Sequence, residues 1–143
     1  MKIHRTGSVV WTGGLKDGRG AISTESGALA DQPYGFQSRF EGIAGSNPEE
    51  LIGAAHAACF TMALSLILGE AGLTADRMAT KATVTLEQTP GGFDIPQIDL
   101  VLEAAIPGTD DAIFQALASA AKANCPVSKL FKAKISLVAV LTA

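Results

Sequence analysis

Cysteine is scarce in this chain: only Cys59 and Cys125 occur in 143 residues. The first eleven residues contain neither an apolar signal core nor a cleavage site, so we expect a cytoplasmic rather than a secreted protein. In the cytoplasm, two cysteines are more typical of reduced thiols or a redox pair than of a structural disulfide. Thiol chemistry is therefore a candidate function.

Charge is also sparse, with 17% charged residues and a net charge of −3. No stretch combines clustered Lys and Arg with aromatic residues, so nucleic acid is a poor candidate partner. Glycine-rich nucleotide loops and serine-nucleophile motifs are absent, and we expect no cofactor. A zinc site built from His56, Cys59, Cys125 and His4 would need two closely spaced ligand pairs, and only His56 and Cys59 form one. We therefore expect no metal.

One long apolar run is present. Residues 51–68 carry no formal charge and approach the length of a membrane span. Half of these residues are Ala, Gly, Ser, Thr or His, and the flanking residues Glu49, Glu50 and Glu70 are acidic. No Lys or Arg lies close to either end to set an orientation. We expect no membrane span, but a central helix of a soluble protein, covered by a sheet or by a second chain.

The residues before this run read as strands. Residues 3–11 and 18–25 flank a glycine-rich turn, as in a hairpin. Residues 34–42 alternate in the same way and predict a third strand, with Arg39 on the face opposite the phenylalanines.

Helix signals follow the third predicted strand. Asn47 suits the N-cap, Pro48 the first helical position and Glu50 the capping box, and glycines near residue 70 end the helix. The later pattern predicts strands at 79–88, 93–106 and 134–142, a helix at 112–124, and a turn after Pro126. The order predicts a single α+β domain over residues 1–143, with mainly antiparallel sheet and two core helices.

The two cysteines differ in their local sequence. Cys59 lies in an alanine-rich helix, where a small buried hydrophobe explains it as well as a reactive thiol does. Cys125 directly precedes Pro126 and suits the N-cap of a turn, with Lys122 and Lys129 nearby. A helix N-terminus and cations favour thiolate, so the residues alone indicate that Cys125 is the more acidic thiol.

His56 stands one helical turn before Cys59. It can activate that thiol as a base, or it can fill space and bond a backbone carbonyl, and the sequence leaves both interpretations open.

Four segments together resemble the OsmC branch of the OsmC/Ohr peroxidase family: "YGFQSRFEG", "SNPEELIGAAHAACFTMALSLIL", "PGTDD" and "NCPVSKLFKA". The combination of N-P-E-E-L ten residues before a helical cysteine with a distal Cys-Pro is specific, and the match runs nearly end to end. The resemblance implies an OsmC-like fold, in which antiparallel sheets wrap around central helices in an intertwined homodimer. It also implies a thiol peroxidase that reduces organic hydroperoxides to alcohols.

The resemblance assigns roles to individual residues. Cys59 matches the peroxidatic cysteine, which forms a sulfenic acid, and Cys125 the resolving cysteine, which forms a disulfide with it. Glu49 matches the catalytic glutamate, and Arg39 the arginine of the OsmC branch, with Arg19 as the alternative. By the same resemblance, an external dithiol of dihydrolipoyl type would reduce the disulfide.

Chemistry supports these roles. A thiol with an ordinary pKa is mostly protonated at neutral pH, and burial raises the pKa further. A guanidinium from Arg39, held by a bidentate pair with Glu49, would have to lower the pKa of Cys59 by about two for thiolate to prevail. Phe36, Phe40 and Phe60 are candidate walls for an apolar substrate tail, or ordinary core.

Helix geometry adds an inference about assembly. Glu49 and Cys59 are ten residues apart, which is about 15 Å along a straight helix. If both are catalytic, Glu49 must reach the Cys59 of a second copy, as in a symmetric homodimer with cross-chain active sites. Two other functions stay open, a non-catalytic binding or scaffold protein and a general thiol–disulfide oxidoreductase, although a helical C-x-x-C is absent.

Overall fold

Two three-stranded sheets and four helices make up residues 1–142, the part of the chain that this computed structural model describes. The predicted α+β class is confirmed. Contacts within the chain separate an N-terminal unit, Met1–Leu51, from a C-terminal unit that begins at Ile52. That these two units form a single domain over residues 1–143 stays a prediction.

The N-terminal unit is built on a sheet of three antiparallel strands. Strand β1 (Gly7–Thr12) pairs with β2 (Arg19–Thr24), and β2 pairs with β3 (Gln32–Tyr34). The predicted hairpin around the glycine-rich turn is therefore confirmed.

The strand predicted over residues 34–42 is wrong, because most of that segment is a short helix, α1 (Phe36–Phe40). Ser38 explains the difference. Its hydroxyl accepts a hydrogen bond from the N–H of Gly35 at 3.0 Å and donates to the carbonyl of Ser46 at 2.9 Å. Such local bonds between side chain and backbone stabilise a tight turn in competition with a strand ladder.

The helical conformation changes which side chains are neighbours. The rings of Phe36 and Phe40 lie one turn apart with centroids 5.0 Å from each other. The guanidinium carbon of Arg39 lies 5.2 Å from the centroid of the Phe40 ring. Arg39 thus lies beside the phenylalanines, and its predicted position on the face opposite them is wrong.

The long helix α2 (Pro48–Glu70) begins as predicted. The side-chain oxygen of Asn47 accepts a hydrogen bond from the N–H of Glu50 at 2.8 Å, as an N-cap does. The Glu50 carboxylate accepts from the Asn47 side-chain amide rather than from its backbone. Gly72, with a φ of +75°, follows the C-terminal end of the helix.

Helix α2 is apolar all round but is covered on one side. Met62 and Leu66 on its other side are 76% and 65% exposed. The helix is long and apolar enough to cross a membrane. The core helix of a soluble protein meets the same criteria of length and composition. Its buried residues recur at helical spacing: Gly53, His56, Phe60, Leu64 and Leu68.

The C-terminal unit contains the second sheet. Strand β4 (Arg77–Thr89) pairs antiparallel with β5 (Gly92–Ala105), and β5 pairs in parallel with β6 (Lys134–Thr142). A parallel pair needs a crossover connection, which helices α3 (Asp111–Asn124) and α4 (Pro126–Leu130) supply. The sheets of residues 1–142 are thus mainly antiparallel, as predicted.

The core of the C-terminal unit lies where β5, α2 and α3 meet. Alternate residues of β5 point into it, as the period of a strand requires. Cys125 belongs to this core and has no exposed surface. Its other large members are Phe60, Leu64, Leu68, Ile98, Leu100, Leu102 and Phe114.

Candidate active site

The structure brings Cys59 and Cys125 together. Cys59 lies on α2 and is half-buried, whereas Cys125 is the fully buried N-cap residue of α4. Both thiols are free, and each is within hydrogen-bonding reach of the other. A pair in this position can close a disulfide across the α2–α4 contact.

The pKa values of the two thiols are shifted in opposite directions. Burial raises the pKa of Cys125, but hydrogen bonds from Cys59, from the backbone and hydroxyl of Ser128 and from the backbone of Val127 outweigh it, so the pKa lies below its ordinary value. Burial raises the pKa of Cys59, and its hydrogen bond with Cys125 raises it further. The prediction that Cys125 is the more acidic thiol is confirmed.

Within one protomer, therefore, Cys59 is held as a thiol. A backbone hydrogen bond from Val127 lowers its pKa, but burial and Cys125 outweigh this effect. The peroxidatic role that the resemblance assigns to Cys59 requires the opposite direction. An added cation is needed for thiolate to prevail at that sulfur.

Arg39 and Glu49 form an ion pair in the N-terminal unit. The Nε and Nη2 atoms of Arg39 each lie 2.9 Å from Oε1 of Glu49. The predicted pairing of Arg39 with Glu49 is thus present and uses two nitrogens of the guanidinium, but both contacts converge on one carboxylate oxygen. The second oxygen, Oε2, is buried and has no hydrogen-bond partner among residues 1–142.

Two cavities lie in the N-terminal unit, one beside each candidate arginine. One, of about 280 Å³, is lined by Arg39 and by aromatic side chains that include Phe36 and Phe40. The other, of about 490 Å³, is lined by Arg19, which is exposed on β2, and also by Phe36. Phe60 is fully buried in the core of the C-terminal unit, so the structure supports its reading as ordinary core.

His56 has a specific partner that sequence reasoning missed. Its Nε2 lies 2.8 Å from the hydroxyl oxygen of Ser128, which is 72 positions away in the chain. No local pattern reveals a contact at that separation. Among the described residues no cluster of three or more His, Cys, Asp and Glu side chains could hold a metal ion, and His4 is exposed.

Comparison with known proteins places the chain in a family. The family described as OsmC-like protein matches residues 40–139, a range that includes Glu49, Cys59 and Cys125. The chain belongs to the OsmC-like family. The expected relationship is thereby confirmed, and so is the expected OsmC-like fold of the chain, whereas the intertwined homodimer stays a prediction.

Two relatives of the chain carry names that refer to peroxides. The chain is 56% identical over 137 residues to the peroxiredoxin OsmC of Escherichia coli, with 96% of each chain covered. It is 31% identical over 141 residues to an organic hydroperoxide resistance protein of Xanthomonas axonopodis, with 98% of this chain and 96% of that one covered. The crystal structure of OhrB from Bacillus subtilis superimposes with a TM-score of 0.67 at 29% identity, covering 96% of this chain and 98% of that chain.

Proposed function

We propose that this protein is a homodimeric two-cysteine peroxidase that reduces organic hydroperoxides to alcohols. The observation that carries the proposal is the contact between Cys59 and Cys125, because a sulfenic acid formed on either sulfur has a thiol within reach to condense with. The names of the relatives, peroxiredoxin OsmC and organic hydroperoxide resistance protein, support the same chemistry.

The proposed cycle has three steps. The Cys59 thiolate attacks the terminal peroxide oxygen, the O–O bond breaks, and the alkoxide takes up a proton to leave as alcohol. Cys125 then attacks the sulfur of the Cys59 sulfenic acid, which forms the S–S bond and releases water. An external dithiol, of dihydrolipoyl type in our proposal, reduces the disulfide by exchange through a mixed disulfide.

The position of the ion pair supports cross-chain active sites. Glu49 precedes Cys59 by ten residues on the same helix, about 15 Å along its axis. Since Arg39 is bound to Glu49, a dimer that delivers Glu49 to Cys59 of the partner subunit delivers the guanidinium with it. The exposed Met62 and Leu66 on α2 support the same dimer, because an apolar helix face gains stability when it is covered.

In that dimer the guanidinium has two functions. Its charge lowers the pKa of the Cys59 thiol against the effects of burial and of Cys125, and its N–H groups donate to the peroxide oxygens as negative charge develops. The cavity of about 280 Å³ beside Arg39, with aromatic walls, suits an apolar organic tail better than a small polar peroxide.

We place the enzyme in the cytoplasm, where a dithiol pool keeps both thiols reduced between turnovers.

The test is a thiol count after one equivalent of cumene hydroperoxide. We expect wild-type protein to lose both thiols, Cys125→Ser to stop with Cys59 oxidised as a sulfenic acid, and Cys59→Ser to keep its remaining thiol. Mass spectrometry after trapping with a sulfenic-acid reagent measures each state. Slow and unselective oxidation in all three proteins would instead indicate a binding or scaffold protein, and faster reaction with disulfides than with peroxide a thiol–disulfide oxidoreductase.

A further inference from the structure

His56 is a buried polar side chain that the proposed peroxidase cycle does not use. It lies on the buried face of α2 with no exposed surface, and burial lowers its pKa, so the ring is neutral at neutral pH. The ring packs edge-on against Phe131, with centroids 5.5 Å apart. Its Nδ1 has no hydrogen-bond partner among residues 1–142, so the contact of Nε2 with Ser128 is its one polar interaction there.

Ser128 connects this histidine to the resolving cysteine. Cys125 is the N-cap residue of α4 and Ser128 is the third residue of that helix, so the two residues lie within one helical turn of each other. The Ser128 hydroxyl lies close enough to the Cys125 sulfur to lower the pKa of that thiol. A hydroxyl has a single proton, so a Ser128 hydroxyl that donates to the sulfur accepts from His56, and this arrangement puts the histidine proton on Nε2.

Two successive hydrogen bonds would then connect His56 on α2, through Ser128, to the sulfur of Cys125. In this arrangement the His56 Nε2–H donates to the Ser128 oxygen, which lies 2.8 Å away, and the Ser128 hydroxyl donates to Cys125. Hydrogen bonds in such a chain polarise one another, and a donor aimed at sulfur favours its anion. Replacing Ser128 by alanine would remove the connection without adding volume to the core.

We propose that His56 and Ser128 are positioning residues that hold Cys125 ready as the nucleophile of the disulfide-forming step. In that step the Cys125 thiolate attacks the sulfur of the Cys59 sulfenic acid, the S–S bond forms, and the S–O bond breaks. The hydroxide that leaves takes up a proton and departs as water. The inference rests on the proposed two-cysteine cycle, whose hydroperoxide supplies the oxidising equivalents.

The influence of Ser128 and His56 on Cys125 has to be distinguished from that of other titratable groups nearby. From α2, Cys59 faces Cys125 directly, and His56 acts through Ser128. Lys122 of α3 and Lys129 of α4 flank it in sequence but are not among the groups that shift its pKa. Replacing Cys59 by serine keeps a hydrogen-bond donor at that position and leaves Cys125 as the only thiol in the chain.

The first experiment is therefore a thiolate titration by ultraviolet absorbance in Cys59→Ser dimers. We expect added Ser128→Ala to raise the midpoint by about one pH unit, which is about tenfold less thiolate at neutral pH. The matched control is Ser119→Ala, since Ser119 is an exposed serine of α3, and its midpoint should equal that of the Cys59→Ser parent. A Ser128→Ala midpoint equal to the parent's overturns the proposal.

The second experiment separates the two chemical steps in protein that keeps both cysteines. After rapid mixing with cumene hydroperoxide, Ser128→Ala should oxidise Cys59 at the unchanged rate and form the disulfide about tenfold more slowly at neutral pH. The disulfide rate should recover as the pH rises, which a merely structural defect would not produce. Equal slowing of both steps at every pH overturns the proposal.

His56 itself is tested by two variants. His56→Gln retains an N–H donor and should retain most of the disulfide rate, whereas His56→Leu should resemble Ser128→Ala. Because His56 is buried, either variant can fail to fold, and the Ser128→Ala result then decides alone. Should the wild type not react with hydroperoxide at all, the proposed function fails, while the titration in Cys59→Ser still judges the hydrogen-bond chain.

Discussion

At the scale of single residues, the Arg39–Glu49 pair is asymmetric. One carboxylate oxygen accepts two N–H groups while the other is buried without a partner among residues 1–142. An unpaired buried carboxylate oxygen costs free energy in the protomer. We expect this oxygen to accept a hydrogen bond from the hydroxyl group of a hydroperoxide bound in the proposed dimer.

Arg39→Lys tests the role of the guanidinium. Lysine retains the positive charge but loses the planar set of N–H donors that can bind Glu49 and a peroxide oxygen together. We expect the kcat/KM for cumene hydroperoxide to fall roughly a hundredfold. Steady-state kinetics with a dithiol reductant measures the change.

Arg19→Lys is the matched control, because Arg19 is the other candidate arginine and lies exposed on β2. Its kcat/KM should stay close to the wild-type value. If Arg19→Lys loses activity and Arg39→Lys does not, the guanidinium of the site has been assigned to the wrong residue.

At the scale of elements, a polar cluster joins the parallel strands β5 and β6. Asp99 on β5 accepts hydrogen bonds from the hydroxyl of Ser136 on β6 and from the amide of Gln97. These two bonds, with a smaller contribution from Lys134, lower the pKa of the Asp99 carboxyl despite partial desolvation. The ionised carboxylate therefore stabilises the folded state.

The pH dependence of this contribution has a definite sign. A lowered pKa in the folded state stabilises the protein above the unfolded-state pKa of an aspartate, about 4, and the effect is lost as the pH falls through the folded-state value. The free energy of unfolding of Asp99→Asn should therefore fall less steeply below pH 4 than that of the wild type. Denaturant unfolding at several pH values measures it. Asp94→Asn, at an exposed position on β5, is the control, and parallel curves for wild type and Asp99→Asn would contradict the expectation.

Elements whose signals are local could be predicted from the sequence. The N-cap of α2 at Asn47 and the alternating strand β5 depend on neighbouring residues, and both are confirmed. Residues 34–42 could not be predicted, because the alternation of Phe36 and Phe40 fits a strand and one helical turn equally well. The carbonyl of Ser46, which Ser38 bonds, decides between them from outside the segment.

The same distinction applies to the site. A family resemblance indicated Cys59 and Cys125 from their flanking motifs, and the structure brings the two side chains together. The contact of His56 with Ser128 depends on how α4 packs on α2, and no motif encodes it. The acidity of Cys125 was predictable only in part, because Ser128 and Val127 lie on the turn that follows it, whereas Cys59, which lowers its pKa most, lies on α2.

At the scale of the whole molecule, the proposed mechanism needs residues from two protomers in each active site. Glu49→Gln and Cys59→Ala should each be nearly inactive alone. Refolded as an equal mixture, they should form heterodimers in which one of two sites has both residues intact, giving about a quarter of wild-type activity if association is random. A mixture of Glu49→Gln with the double variant Glu49→Gln, Cys59→Ala is the control and should stay inactive. Absence of recovery in the first mixture would indicate that each site lies within one chain.

The most direct test of the central claim is the ionisation of Cys59 in the assembled dimer. The groups of one protomer raise the pKa of this thiol, and the proposed mechanism needs the guanidinium of the partner subunit to lower it. The measurement is the alkylation rate of Cys59 against pH in Cys125→Ser dimers. A midpoint below pH 7, well under the ordinary thiol value of about 8.5, is the predicted result. A midpoint at or above that ordinary value would contradict the account.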